Sequence, residues 1–110
     1  MTKDELIMQL SELPKQIEDA EYRVIEHYSN VQTAKENLTF KEDELMLSGV
    51  IDDKNAETRA AQMRENTTKE RQELQLAENT LSKKRVALNR LNNRLAVCKA
   101  IAGMLGKGDE

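Results

Sequence analysis

Ser48-Gly49-Val50-Ile51-Asp52-Asp53 is the strongest chain-reversal signal in this 110-residue sequence, and it separates two long helical patterns of nearly equal length. Gly49 can adopt the left-handed conformation that ends a helix, and Val50 can supply the apolar contact that often follows such an end. Asp52 or Asp53 can cap the next helix by accepting hydrogen bonds from its free N–H groups. The stretch therefore predicts a helical hairpin with its tip near residue 51.

Seam positions recur in alternating steps of three and four on both sides of this turn, which is the a/d spacing of a coiled coil. In the first helix these positions are Leu10, Leu13, Ile17, Ala20, Val24, His27, Val31, Ala34, Leu38, Lys41, Leu45 and Ser48. In the second helix they are Ala56, Ala60, Met63, Thr67, Glu70, Leu74, Ala77, Leu81, Lys84, Leu88, Leu91, Leu95, Cys98, Ala102 and Leu105. Folding the chain back at the tip pairs Leu10 with Leu95, and it places the long polar Lys84 opposite the small Ala20.

The pattern predicts an all-α fold, a single domain over residues 1–110 built as an antiparallel two-helix coiled-coil hairpin. Proline interrupts helices, so we expect a short helical segment over 1–13 before or at Pro14 and a first helix over 14–48. Either a kink at Pro14 or a separate first segment fits the pattern. The turn is expected over 49–53, the second helix over 54–102, and a frayed, glycine-containing tail over 103–110.

Further apolar residues lie beside the seam, where a single hairpin would leave them exposed to solvent. They are Tyr22, Ile25, Tyr28, Val86, Val97, Ile101 and Met104. Two hairpins that form a four-helix bundle would bury them, so we expect a homodimer, with the same residues as candidate contacts to a partner protein. Residues 35–70 carry fewer such side chains and more charge.

A basic segment lies near the end of the second helix, in a chain whose overall net charge is only −3. Its cations are Lys83, Lys84, Arg85, Arg90 and Arg94. We expect them to pair with the acidic part of the first helix or with that of a second copy. Contact with nucleic-acid phosphates is the alternative, although the aromatic side chains that stack bases lie on the other helix.

No combination of residues predicts catalysis, a cofactor or a metal site. His27 is the only histidine and fits a seam position, and the single cysteine, Cys98, fits a small buried apolar residue. The N-terminal sequence does not resemble a signal peptide, and no apolar run reaches the roughly 20 residues of a membrane span. We therefore expect a cytoplasmic protein that is not an enzyme and has no membrane partner.

The stretch Asp52-Asp53-Lys54-Asn55-Ala56-Glu57-Thr58-Arg59-Ala60-Ala61-Gln62, followed by a charged heptad helix, resembles small helical-hairpin proteins of tailed phages and prophages of Gram-positive bacteria. Asp53 stands where their turn has a glycine. The resemblance implies a gene near those for recombination and replication, and a host-cytoplasm location. It brings no catalytic residues.

The resulting hypothesis is a non-enzymatic phage or prophage accessory protein that binds another protein, as an adaptor or as an inhibitor of a host protein. Two alternatives stay open. One is a nucleic-acid-binding accessory of recombination or replication that uses the basic segment, and the other is a structural or assembly factor.

Overall fold

The structure is a computed structural model that describes residues 1–52 and 54–108. These residues form three helices, α1 over Lys3–Ser48, α2 over Ala56–Asn66 and α3 over Thr68–Gly108. The predicted all-α fold is confirmed. None of the helices in this part of the chain contains an apolar segment long enough to cross a membrane.

Helix α1 begins with reciprocal hydrogen bonds between Thr2 and Glu5. The Glu5 N–H donates to Thr2 Oγ1 at 3.1 Å, and the Thr2 N–H donates to Glu5 Oε2 at 3.3 Å, which is a capping box. The helix then continues through Pro14 to Ser48, so residues 1–13 do not form a separate helical segment. Leu13 and Ile17 are buried on either side of Pro14, and their packing supports the turn in which Pro14 provides no N–H.

The end of α1 follows the predicted glycine mechanism. Gly49 has a φ of +75°, in the left-handed region. Ser48 Oγ donates to the Leu45 carbonyl at 3.0 Å and adds to the helix end. Val50 is exposed and Ile51 is buried, so Ile51 rather than Val50 supplies the apolar burial after the turn.

Asn55, and not Asp52, caps the helix that follows the turn. Asn55 Oδ1 accepts a hydrogen bond from the Thr58 N–H at 2.8 Å, and α2 begins at Ala56 rather than at residue 54. The Asp52 carboxylate instead lies 3.8 Å from Lys54 Nζ, while its backbone N–H donates to Gln62 Oε1. Asp53, the other predicted cap, lies outside the described residues.

The predicted second helix is interrupted at Thr67, which has φ −121° and ψ 21°. Its N–H donates to the Arg64 carbonyl at 3.3 Å, one residue nearer than in an α-helix, and its Oγ1 donates to the Met63 carbonyl at 2.7 Å. Asn66 and Thr68 also donate from their side chains to carbonyls of the preceding turn. Side chains of this kind compete with the backbone for its hydrogen bonds, which accounts for the break.

Helix α3 extends beyond the predicted end at Ala102 and reaches Gly108. Residues 103–108, expected to fray, are thus helical. Residues 109 and 110, the rest of the predicted tail, lie outside the described residues.

The chain divides into two compact units. The terminal unit comprises Met1–Glu26 and Ser82–Glu110, and the tip unit comprises His27–Leu81. In the terminal unit, Leu6, Leu13 and Cys98 form the buried cluster, with Leu10, Leu91, Leu95, Ile101 and Ala102 packed against it. In the tip unit the buried residues are Val31, Leu45, Ile51, Thr67 and Leu81.

The heptad spacing identifies the buried sides of the helices. Every predicted seam position from Leu10 to Leu45 and from Met63 to Ala102 is buried or half-buried, including His27 and Lys84. The four exceptions are at the ends of the pattern and are exposed: Ser48, Ala56, Ala60 and Leu105. This burial fits the expected coiled coil, and α1 packs against α3 in the cluster around Leu13 and Cys98.

Candidate interaction surfaces

The first surface is an exposed patch on α1 in the terminal unit. Tyr22 is 65% exposed and Ile25 is 63% exposed, and Glu18 and Glu21 lie beside them around the same shallow depression. We call these four residues the acidic patch. Tyr28, the third predicted contact on this helix, is also exposed but belongs to the tip unit.

The second surface lies on α3 in the terminal unit. Val86 is exposed and shares a depression with Lys83, Ala87 and Arg90, and we call these four residues the basic patch. Val97 and Met104, also predicted as contacts, are exposed further along the helix. An apolar centre with charges at its margin is typical of helix faces that bind other helices.

Ile101 differs from the other predicted contacts. It is half-buried and packs against the cluster of Leu6, Leu13 and Cys98. A side chain that fills the interior of the helix pair has less surface left for a second molecule. Ile101 is therefore mainly a packing residue.

The ion pairs predicted between the two helices of one chain are not formed among the residues that the structure describes. In residues 1–52 and 54–108, the one ion pair with an N···O distance within 4.0 Å joins Lys54 to Asp52. Lys83, Arg85, Arg90 and Arg94 are exposed, and Lys84 is half-buried. Residues 82–108 contain seven basic side chains and no acidic one, so this stretch of α3 presents positive charge to the solvent.

A depression of about 320 Å³ lies on one side of the terminal unit. Two of its lining residues are the short Ala20, which is buried, and Ala87, which is exposed. Its lining places Lys84 beside Ala20, as the folded-back seam predicted. The remaining lining residues are Gln16, Asp19, Arg23 and Leu91.

The tip unit carries a third surface, which the heptad spacing does not identify. Phe40 is 72% exposed and Leu47 is 90% exposed, and both line a shallow groove with Asp43, Glu44 and Ser48. Residues 35–70 carry fewer flanking apolar side chains than the rest of the chain, and Phe40 and Leu47 are two of them. The signal in the sequence is the seven-residue spacing of Phe40 and Leu47, which places both on one face of α1.

The reactive residue types occupy structural positions. Cys98 is fully buried, and its Sγ lies 3.4 Å from Gln9 Oε1 as a hydrogen-bond donor. His27 is half-buried at its seam position. Within the described residues, no three histidine, cysteine or acidic side chains come together as metal ligands would.

The chain was compared with known protein families, curated proteins and solved structures. No protein-family model, curated protein or solved structure matches the chain.

Proposed function

We propose that this chain is a non-enzymatic phage or prophage accessory protein that acts in the cytoplasm by binding another protein. It serves as an adaptor or as an inhibitor of a host protein, and its copies associate through their flanks, with two helices from each in a four-helix arrangement. The supporting observation is the exposure of large apolar side chains on helices whose facing sides are already filled. Burial of such side chains is the main source of affinity between proteins.

The groove at Phe40 and Leu47 is the site proposed for the partner protein. The two side chains are about 10.5 Å apart along the helix, which is two helical turns. Asp43 and Glu44 lie between them and give the groove a negative margin. An amphipathic helix with apolar side chains at the same spacing and lysine or arginine beside them would match both features.

Nucleic-acid binding is the second candidate, supported by the cations of α3 that have no acidic partner within 4.0 Å among residues 1–52 and 54–108. Lys83, Arg90 and Arg94 would contact phosphates, with Lys84 and Arg85 nearby. Such contacts release counterions, so this binding would weaken steeply with salt. The two candidates use different surfaces, and one experiment can compare them.

A photoreactive phenylalanine analogue at Phe40 tests the partner site in the cells that express the protein. We expect one cross-linked protein that survives nuclease treatment, and none when the analogue replaces the exposed Gln72 on α3. Leu47→Ser should lower the cross-link yield about tenfold, because it removes a large apolar contact. Leu76→Ser removes an equally large exposed side chain elsewhere and should leave the yield unchanged.

Equal cross-linking at both positions, or none at either, would contradict the partner site. Co-purified material that disappears with nuclease and with the pair Arg90→Glu and Arg94→Glu would favour nucleic acid instead. The pair Arg64→Glu and Lys69→Glu makes the same charge change at exposed positions outside the basic segment and is the control for that result.

A further inference from the structure

The acidic and basic patches of the terminal unit are chemically complementary. Each has an apolar centre, Tyr22 with Ile25 in one and Val86 with Ala87 in the other. The margin of the first carries two glutamates, and the margin of the second carries a lysine and an arginine. The charges of neither patch are neutralised within the described chain by an ion pair shorter than 4.0 Å.

The acidic patch lies on the side of α1 away from the depression. Residues 16, 19 and 23 of α1 line that depression, whereas residues 18, 21 and 25 belong to the acidic patch. At 3.6 residues per turn, these two sets are about half a turn apart around the helix axis. They therefore occupy opposite flanks of α1.

The basic patch lies toward the depression side of the helix pair. Ala87 belongs to both the depression and the basic patch, so the two features are neighbours. The acidic patch shares no residue with either. Within the terminal unit, the two complementary patches thus point to opposite sides.

We propose that the acidic patch of one copy binds the basic patch of a second copy, so that the chain assembles head to tail rather than as a closed two-fold dimer. Contact between two acidic patches would bring Glu18 and Glu21 close to the same glutamates of the second copy, and these like charges repel. Contact between two basic patches would likewise bring Lys83 and Arg90 close to the same cations. A two-fold dimer could form two acidic-to-basic contacts at once only if both patches lay on the same side of each copy, and they lie on opposite sides. Each head-to-tail contact joins two helix pairs and leaves one acidic and one basic patch free, so growth continues unless a ring closes.

The inference rests on the self-association included in the proposed function and is independent of the partner groove at Phe40. Its test uses two variants that each lose one patch. The first combines Glu18→Gln, Glu21→Gln and Ile25→Ser, and the second combines Lys83→Gln, Val86→Ser and Arg90→Gln. All six positions are exposed, so helicity measured by circular dichroism should be unchanged.

Mass is then measured by light scattering after size exclusion over a range of concentrations. The natural protein should grow beyond a dimer as concentration rises, and each variant alone should be a monomer. An equimolar mixture of the two variants should give a one-to-one heterodimer that does not grow, because each supplies the patch that the other lacks. Glu73→Gln with Leu76→Ser and Glu78→Gln changes matching side chains in the tip unit and should assemble like the natural protein.

Three results would overturn the inference. The first is a natural protein that stays monomeric or stops at a dimer at every concentration. The second is a single variant that still dimerises alone, since a closed contact between like patches would then be present. The third is a mixture without a heterodimer. Cross-linking at Phe40 in the first variant shows separately whether partner binding persists.

Discussion

Proline interrupts helices more strongly than threonine does. In this chain, however, α1 continues through Pro14 in the terminal unit, whereas Thr67 in the tip unit separates α2 from α3. At Pro14 the helix loses one backbone hydrogen bond, and the side chains next to it are deeply buried. Leu13 is 2% exposed, and Ile17, three residues after Pro14, is 8% exposed. Apolar packing there supports a turn that local preference disfavours.

At Thr67 the balance is reversed. Thr67 is itself fully buried, so packing is present, but three successive polar side chains take carbonyl groups of the preceding turn. Arg71 Nε donates to Thr67 Oγ1 at 2.9 Å and holds the hydroxyl in place. At this position three successive side-chain donors coincide with a break, whereas the single missing backbone hydrogen bond at Pro14 does not end α1.

Leu13→Ala should have the largest effect on this comparison. It removes the deepest side chain beside Pro14 and leaves a cavity in the cluster with Leu6 and Cys98, so we expect a loss of about 4 kcal/mol in the free energy of unfolding. Denaturant unfolding followed by circular dichroism measures the loss. Ile7→Ala, at an exposed position of the same helix, should cost much less. Equal losses in the two variants would show that the buried cluster does not support the turn at Pro14.

Pro14→Ala should act in the opposite direction. Alanine restores the missing N–H and its hydrogen bond to the Leu10 carbonyl, so we expect the free energy of unfolding to rise by up to about 3 kcal/mol. The same unfolding experiment measures the gain. Lys15→Ala, one residue further along at an exposed position, should change stability by only a few tenths of a kcal/mol. A loss of stability in Pro14→Ala would mean that the proline ring makes a packing contact that outweighs the hydrogen bond.

The sequence predicts the parts of this fold that depend on many residues acting together. The seam, the helical hairpin and the left-handed Gly49 all follow from regular spacing over dozens of residues or from a residue type with one strong preference. A pattern that is averaged over many residues does not predict the hydrogen bonds of any single residue. Heptad spacing places Thr67 correctly on the buried side of the helix, but it carries no information on where the Thr67 hydroxyl donates.

The surfaces were harder to predict than the seam. Tyr22, Ile25 and Val86 were identified because they flank the seam, and the structure leaves them exposed. Phe40 and Leu47 were missed because they lie among acidic residues in a stretch that reads as charged overall. The expected ion pairs within one chain are absent from its described residues because exposed lysine and glutamate side chains gain little from a fixed pairing in water. The alternative, pairing with a second copy, stays a prediction.

Thr67→Val makes the smallest energetic change and tests the cause of the break most directly. Valine has nearly the same shape, so packing is retained, while the hydrogen bonds of the hydroxyl to Met63 and Arg71 are lost. Without the hydroxyl, nothing holds the chain in the tight turn to the Arg64 carbonyl, so the N–H of residue 67 can reach the Met63 carbonyl. We therefore expect α2 and α3 to join, with a stability change below about 1 kcal/mol. Hydrogen exchange of the amides of residues 67 and 68, measured by NMR, should slow.

Thr80→Val is the matched control, because Thr80 Oγ1 donates to the Leu76 carbonyl at 2.9 Å in the same way within an unbroken helix. Exchange that stays fast in Thr67→Val would assign the break to Asn66 and Thr68, whose side chains capture the neighbouring carbonyls independently of residue 67.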